Sequence, residues 1–303
     1  MGLIRTEDLQ IRDPFVVPVP EERKYYLFGS TDRNIWETGV GFDVYVGDDL
    51  ERWEGPYPAF RPEPGFYAEK NFWAPEVYRV GDLYYMFATF RRKSNGLLGT
   101  AVLVADRLSG PFRPHSDGPV TPESWSCLDG TLFFDHDGAP WMVFCHEWTQ
   151  VGDGEICAVR LSPDFKRTVG EPVTLFRASE APWTTPYVWA KDPSRTIYVT
   201  DGPFLIRLSD GGLVMLWSSF VRNVYALGVA RSASGKLEGP WMHDPEPLFR
   251  DDGGHGMVFR AFDGGLRLAL HAPNRTPHER ARFLPVREAG GTLVVVTGGQ
   301  SNG

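Results

Sequence analysis

"GDLYYMFATF", residues 81–90, is the stretch that settles the fold class. A Gly-Asp turn opens it, and an aromatic-rich run with no further Gly or Pro follows. An apolar run this short, bounded by turn residues, reads as a β-strand. The same arrangement returns as "ERKYYLFGSTD" (22–32), "DGAPWMVFCHEW" (137–148), "DGGLVMLWSSF" (210–220) and "DGGLRLALHAPN" (263–274). The spacing is widest between the third and fourth copies. Amphipathic helical periodicity is scarce throughout.

A second marker trails the first. It is a Gly-Pro or Glu-Pro step after a charged segment, in "LERWEGPY" (50–57), "RLSGPFRP" (107–114), "TVGEPVTL" (168–175) and "KLEGPWMH" (236–243). Two independent markers with one period of roughly 50–70 residues indicate a repeat architecture. Units of that length hold about four strands each. The expectation is an all-β, five-bladed β-propeller, with four-stranded antiparallel blades around a central channel. A β-sandwich with chance similarity between hairpins is the alternative, and the shared period argues against it. No Pro/Ser/Gly-rich linker divides the chain, so residues 1–303 read as one domain. The strand "TLVVV" (292–296) either completes the last blade or pairs with the first.

Composition agrees. The 33 Gly and 25 Pro make the chain turn-rich without reaching the range of disorder. Aromatic residues are 14% of the sequence, and they suit both strands and the flat apolar faces of sugars. A net charge of −8 argues against nucleic acid and anionic membranes as partners. The cysteines Cys127, Cys145 and Cys157 are odd in number and lack metal-type spacing, so buried free thiols are expected. The start "MGLIRTEDLQ" has no apolar leader core and no window approaches a membrane span, which suggests a cytoplasmic chain.

Each repeat is preceded by another strand-like segment, which in a propeller is the innermost strand. These segments carry Asp13 in "IRDPFVV", Trp73 and Glu76 in "NFWAPEVY", Asp129 in "SCLDGTLFF", Asp201 in "YVTDGPFLI" and His255 in "DGGHGMVFR". Alone, an Asp-Pro or Asp-Gly step is turn chemistry. At equivalent sites in successive blades, these residues converge on one axis. Clustered carboxylates repel one another and lose hydration, so a pocket for a polar ligand is the better account.

With those motifs in order, the sequence resembles glycoside hydrolase family 43 over nearly its whole length: "RDPFV" (12–16), "FWAPEV" (72–77), "LDGTLFFD" (128–135), "DGPFLI" (201–206) and "GGHGMVFR" (253–260). The resemblance implies a five-bladed propeller glycosidase. It implies Asp13 as the general base that activates water and Asp129 as the carboxylate that tunes and orients the acid. His255 matches a channel histidine that in some members contacts a calcium ion or its water, so a structural calcium is implied and no other cofactor. Trp73 matches a sugar-facing platform, and Glu76 a supporting residue of the substrate site.

Asp201 stands where most members have the general-acid Glu. The side chain is one methylene shorter, about one C–C bond or 1.5 Å. Three readings follow: Asp201 is still the acid, another carboxyl takes the role, or the protein binds sugar without cleaving it. Glu147, in "FCHEWTQ" beside His146 and Trp148, is the first substitute. "STDRNIW" (30–36) and "TFRRKSNG" (89–96) follow repeat strands, so Trp36, Phe90 and Arg91 are candidate sugar contacts. His271 and Asn274 are candidates for hydrogen bonds in the fifth blade. The expected activity is inverting, exo-acting hydrolysis of terminal arabinofuranosyl, xylosyl or related sugars from plant-type oligosaccharides, by a monomer or small homo-oligomer. A non-catalytic carbohydrate-binding propeller is the alternative.

Overall fold

A computed structural model of the chain describes residues 2–296. The strands form five antiparallel sheets. Their first and second strands are Arg12–Val19 and Lys24–Ser30 in blade 1, Ala68–Val80 and Leu83–Arg92 in blade 2, and Cys127–Phe134 and Pro140–His146 in blade 3. In blade 4 they are Asp201–Arg207 and Leu213–Val221, and in blade 5 Gly254–Arg260 and Leu266–Ala272. Each first strand touches the first strands of both neighbouring blades, so these five line the axis and the ring closes. The architecture is the expected five-bladed propeller.

The tail strand Thr292–Val295 completes blade 5 by pairing with Arg280–Ala289. Near the other end of the chain, Ile4–Arg5 adds a short fifth strand to the outer edge of blade 1. The seam between blades 5 and 1 is bridged by the pair Gln10–Arg280 and by the Ile11 N–H, which donates to the Glu279 carbonyl at 3.3 Å. Between blades the core is strongly aromatic; Phe42, Phe60, Phe72 and Phe90 pack with ring centroids 5.0–6.3 Å apart. The three cysteines are free and buried.

Every inner strand breaks register at the same place, between Arg12 and Phe15, Trp73 and Glu76, Leu128 and Thr131, Asp201 and Phe204, and Gly254 and Met257. At each break one residue has a left-handed backbone: Asp13 (φ 54°), Ala74 (46°), Asp129 (56°), Gly202 (53°) and His255 (51°). The next residue is always Pro or Gly: Pro14, Pro75, Gly130, Pro203 and Gly256. A bulge interrupts the ladder, so a proline there forfeits no bond. Left-handed φ at a non-glycine residue costs on the order of 1–2 kcal/mol. Blade 4 uses glycine, and its neighbour requires it: a Cβ on Gly202 would lie 2.7 Å from the His255 ring.

The N–H of each bulge residue leaves its own sheet and donates to the preceding blade. Ala74 donates to Ser30 Oγ (2.9 Å), Asp129 to Thr89 Oγ1 (2.8 Å), His255 to Ser218 Oγ (2.8 Å) and Asp13 to His271 Nδ1 (3.1 Å). These four acceptors occupy one position, opposite the residue before the bulge. In blade 3 that position is Cys145, a weak acceptor, and the Gly202 N–H donates instead to Asp129 Oδ2 at 3.0 Å. Five hydrogen bonds thus pass from blade to blade around the axis. Thr89→Val keeps shape but orphans the Asp129 N–H; we expect a loss of about 1–3 kcal/mol in urea unfolding.

Candidate active site

Residues of the bulges line a cavity of about 320 Å³. Asp13, Asp129, Asp201, Glu147 and His255 line it, with Arg12 and an aromatic wall that includes Trp36, Trp73, Trp148, Tyr187, Phe220 and Tyr225. The polar residues are not register-equivalent, as their spacing had suggested. Asp13, Asp129 and His255 sit at bulge apices, whereas Asp201 and Trp73 sit one position earlier, matching Arg12.

Asp13 is 7% exposed. Its Oδ1 lies 3.2 Å from His255 Nδ1 and 3.7 Å from Arg12 Nε, and its Oδ2 accepts from Ser30 Oγ at 2.6 Å. Burial opposes its charge, but His255, then Arg12, outweigh that and hold the carboxyl below the usual range. Burial also keeps His255 below the ordinary imidazole range, despite Asp13, so at neutral pH it is a neutral donor through Nδ1. His271 is fully buried, and burial together with Arg12 pushes it down to about 3. Its tautomer is fixed: Nδ1 accepts the Asp13 N–H, so Nε2 carries the proton toward Asn274 Oδ1 at 3.3 Å. The 3.4 Å approach of His271 Nδ1 to Asp13 Oδ1 is therefore no ion pair.

The other carboxyls differ. Burial, with Asp201 and Asp13 beside it, raises Asp129 well above the ordinary range, against the bond from Gly202 N–H. Asp129 Oδ2 also lies 3.7 Å from His255 Nδ1. Burial pushes Asp201 up to about 6, while Arg12 and the Tyr225 hydroxyl, which donates to Asp201 Oδ2 at 3.1 Å, pull it back. Glu147, 6% exposed, is pushed up to about 8 by burial and by the charge of Asp201. At neutral pH the cavity therefore holds ionised Asp13 and Asp201 beside protonated Glu147, with Asp129 displaced upward by the same crowding.

Trp73 and Trp36 form the blade 1–2 wall, edge to face at 5.2 Å. Trp73 Nε1 donates to the Ile35 carbonyl at 2.7 Å, and the Arg12 guanidinium lies 6.0 Å from the Trp36 ring centre. Three expected contacts are corrected. Phe90 is wholly buried in the aromatic core between blades 1 and 2, because its side chain points away from the channel. Glu76 is past the bulge and turns into the interior, where the Tyr78 hydroxyl bonds it; neither residue lines the cavity. Arg91 does not line it either, and bonds Asn71 and the Gly96 carbonyl. Tyr225, Tyr187 and Phe220 were not anticipated. Tyr187 belongs to the segment 181–200 between blades 3 and 4, whose signal was the long gap between the third and fourth repeats.

The profile of glycosyl hydrolases family 43 matches residues 8–289. The chain belongs to this family. Among solved structures, an endo-arabinase from Bacteroides thetaiotaomicron is 41% identical, covers 96% of this chain and 99% of its own, and superposes with a TM-score of 0.88. A thermostable family-43 glycoside hydrolase, 23% identical over 97% of this chain and 95% of its own, shares the fold with a TM-score of 0.80. A Cellvibrio japonicus protein, named an extracellular exo-α-(1→5)-L-arabinofuranosidase, is 24% identical over 88% of this chain and 80% of its own length. That name lends no support to the expected cytoplasmic location. Among the described residues, no helix is long and apolar enough to cross a membrane.

Among the described residues, no group of three or more His, Cys, Asp or Glu side chains is arranged to hold a metal ion. His255 Nδ1 faces the Asp13 and Asp129 carboxyls.

Burial pushes Glu76 up to about 8 from an ordinary 4.5, against the Tyr78 and Thr131 hydroxyls. In the unfolded chain it ionises first, so stability falls as pH rises between those values. Glu76→Gln should raise the melting temperature by several degrees at pH 8 and leave it unchanged at pH 4, in paired thermal scans.

Proposed function

We propose that this chain is an inverting, exo-acting glycosidase that releases terminal α-L-arabinofuranosyl residues from α-1,5-linked oligosaccharides. The observation that carries the reading is one cavity holding an ionised carboxylate, Asp13, together with a protonated carboxyl, Glu147. Inverting hydrolysis needs that pairing, with water between base and sugar. Asp13 is the general base: His255 and Arg12 hold it as an anion, and its proton comes from the attacking water. The donor to the leaving oxygen stands on the blade 3–4 side, which Asp201 and Glu147 form. Asp129 tunes that side, sharing His255 with the base. The cavity volume lies at the lower end of the roughly 300–1,000 Å³ common for small-molecule sites, which suits a chain end. Trp36 and Trp73 offer the flat apolar faces that sugars stack on. The printed names of the Cellvibrio and Bacteroides relatives support arabinose as the sugar.

Asp13→Asn should lower kcat/KM on aryl α-L-arabinofuranosides by about 10²–10⁴-fold, the usual contribution of a general base, with the melting temperature little changed. Unchanged turnover would overturn the assignment. Proton NMR of a fast wild-type reaction should show β-L-arabinofuranose first; the α-anomer first would exclude inversion. Dialysis against EDTA should leave turnover unchanged. Sugar binding by calorimetry, with no product from any arabinoside, would favour the carbohydrate-binding alternative.

A further inference from the structure

We propose that Glu147, and not Asp201, gives the proton to the leaving oxygen. The assignment rests on the glycosidase reading above and specifies one of its parts.

Geometry separates the carboxyls. Asp129 shares a single nitrogen, His255 Nδ1, with Asp13, so the two stand together on the floor of the cavity. A donor must lie across the sugar from the base, roughly 6.5–9.5 Å away in inverting sites. Asp129 is also pinned by the Gly202 N–H. Asp201 is the shorter side chain, and its Oδ2 is already taken by the Tyr225 hydroxyl. That bond and the Arg12 charge both favour its anion. An anion with its lone pairs engaged is a poor donor.

Glu147 differs in position and in length. It follows the end of the second strand of blade 3, one strand further from the axis than the three aspartates. It lines the cavity and is one methylene longer than Asp201, and its carboxyl accepts from the Thr149 N–H. Its backbone is held on both sides: the Glu147 N–H donates to the Ser126 carbonyl at 2.8 Å, and the Gln150 N–H donates to the Glu147 carbonyl at 2.9 Å. Gln150 is itself fixed, because its Oε1 accepts from Ser126 N–H at 2.7 Å and lies 3.0 Å from His146 Nε2. The carboxyl is thus carried on a rigid turn.

The groups facing Glu147 are Asp201 of blade 4, Arg91 of blade 2, Arg195 of the 181–200 segment and the Cys127 thiol of blade 3. Burial and Asp201 keep it protonated; the Thr149 N–H and the two arginines work against them without prevailing. Asp201 then serves as the charge that holds the proton on Glu147. In the reaction, the water oxygen bonds to the anomeric carbon and the glycosidic C–O bond breaks. Asp13 takes one proton from the water, and Glu147 gives its proton to the departing alcohol oxygen. Solvent then returns both groups to their starting states.

The test uses the full chain with α-1,5-arabinobiose, 4-nitrophenyl and 2,4-dinitrophenyl α-L-arabinofuranosides. A good leaving group needs no proton. Glu147→Gln should therefore lose about 10²–10⁴-fold in kcat/KM on arabinobiose and little on the dinitrophenyl substrate. The alkaline limb of the wild-type pH profile, set by Glu147 near pH 8, should vanish with it. Asp201→Asn should move that limb to lower pH, because the charge raising Glu147 is gone, and below the limb should cost arabinobiose hydrolysis much less than Glu147→Gln does. Retained arabinose binding by calorimetry and an unchanged thermal melt exclude misfolding of either variant. If Asp201→Asn shows the leaving-group-dependent loss and Glu147→Gln does not, the assignment is overturned. Wild type inert on all three substrates would sink the glycosidase reading itself, and this one with it.

Discussion

Five buried backbone N–H groups, one at each inner-strand bulge, constrain everything else in this molecule. A bulge removes its residue from the sheet ladder, and a buried donor without an acceptor costs about 1–3 kcal/mol. The chain answers by placing a hydroxyl, an imidazole or a carboxylate from the preceding blade under each one. This single device joins neighbouring blades, fixes their relative register and turns the bulge side chains toward the axis. The site is therefore a by-product of how the ring is held. Asp13, Asp129 and His255 point where they do because their backbones are bent there.

Four carboxyls in one small cavity are tolerable only because their surroundings are unequal. Asp13 has donors on both oxygens and a guanidinium alongside. Asp201 has a phenol and the same guanidinium. Asp129 and Glu147 have weaker compensation for lost water, and both are displaced upward. The position before the bulge gives blade 1 a cation, Arg12, where blade 4 has an anion, Asp201. That pairing across the pocket lets two negative charges coexist beside a neutral acid, Glu147. Divergent environments of this kind separate bases from acids in a single site.

The blades were legible because each second strand is short, apolar and framed by turn residues. The apex residues were legible for a related reason: a bulge in this ring must be followed by Pro or Gly, so Asp-Pro, Asp-Gly and His-Gly steps stand out. What failed was side-chain direction. A bulge inserts one residue and reverses the alternation of faces. Glu76 lies past the bulge and faces the interior against Tyr78 and Thr131, although Trp73, three residues earlier, faces the cavity. Phe90 failed similarly, since a residue near a strand end can face either the channel or the neighbouring blade. Tyr225 and Phe220 come from ordinary strand sequence, and only the fold brings them to Asp201.

The seam of the ring gives these observations a mechanical meaning. The terminal strands lie at the outer edges of blades 1 and 5, so no sheet is shared across the joint between them. Toward the axis that joint is fastened by the Asp13 N–H on His271 and by Arg12 on Glu279 at 3.3 Å. Asp13 and Arg12, which line the cavity, are thus also the clasp of the circle. A ligand seated against Asp13 and Arg12 would brace the same joint.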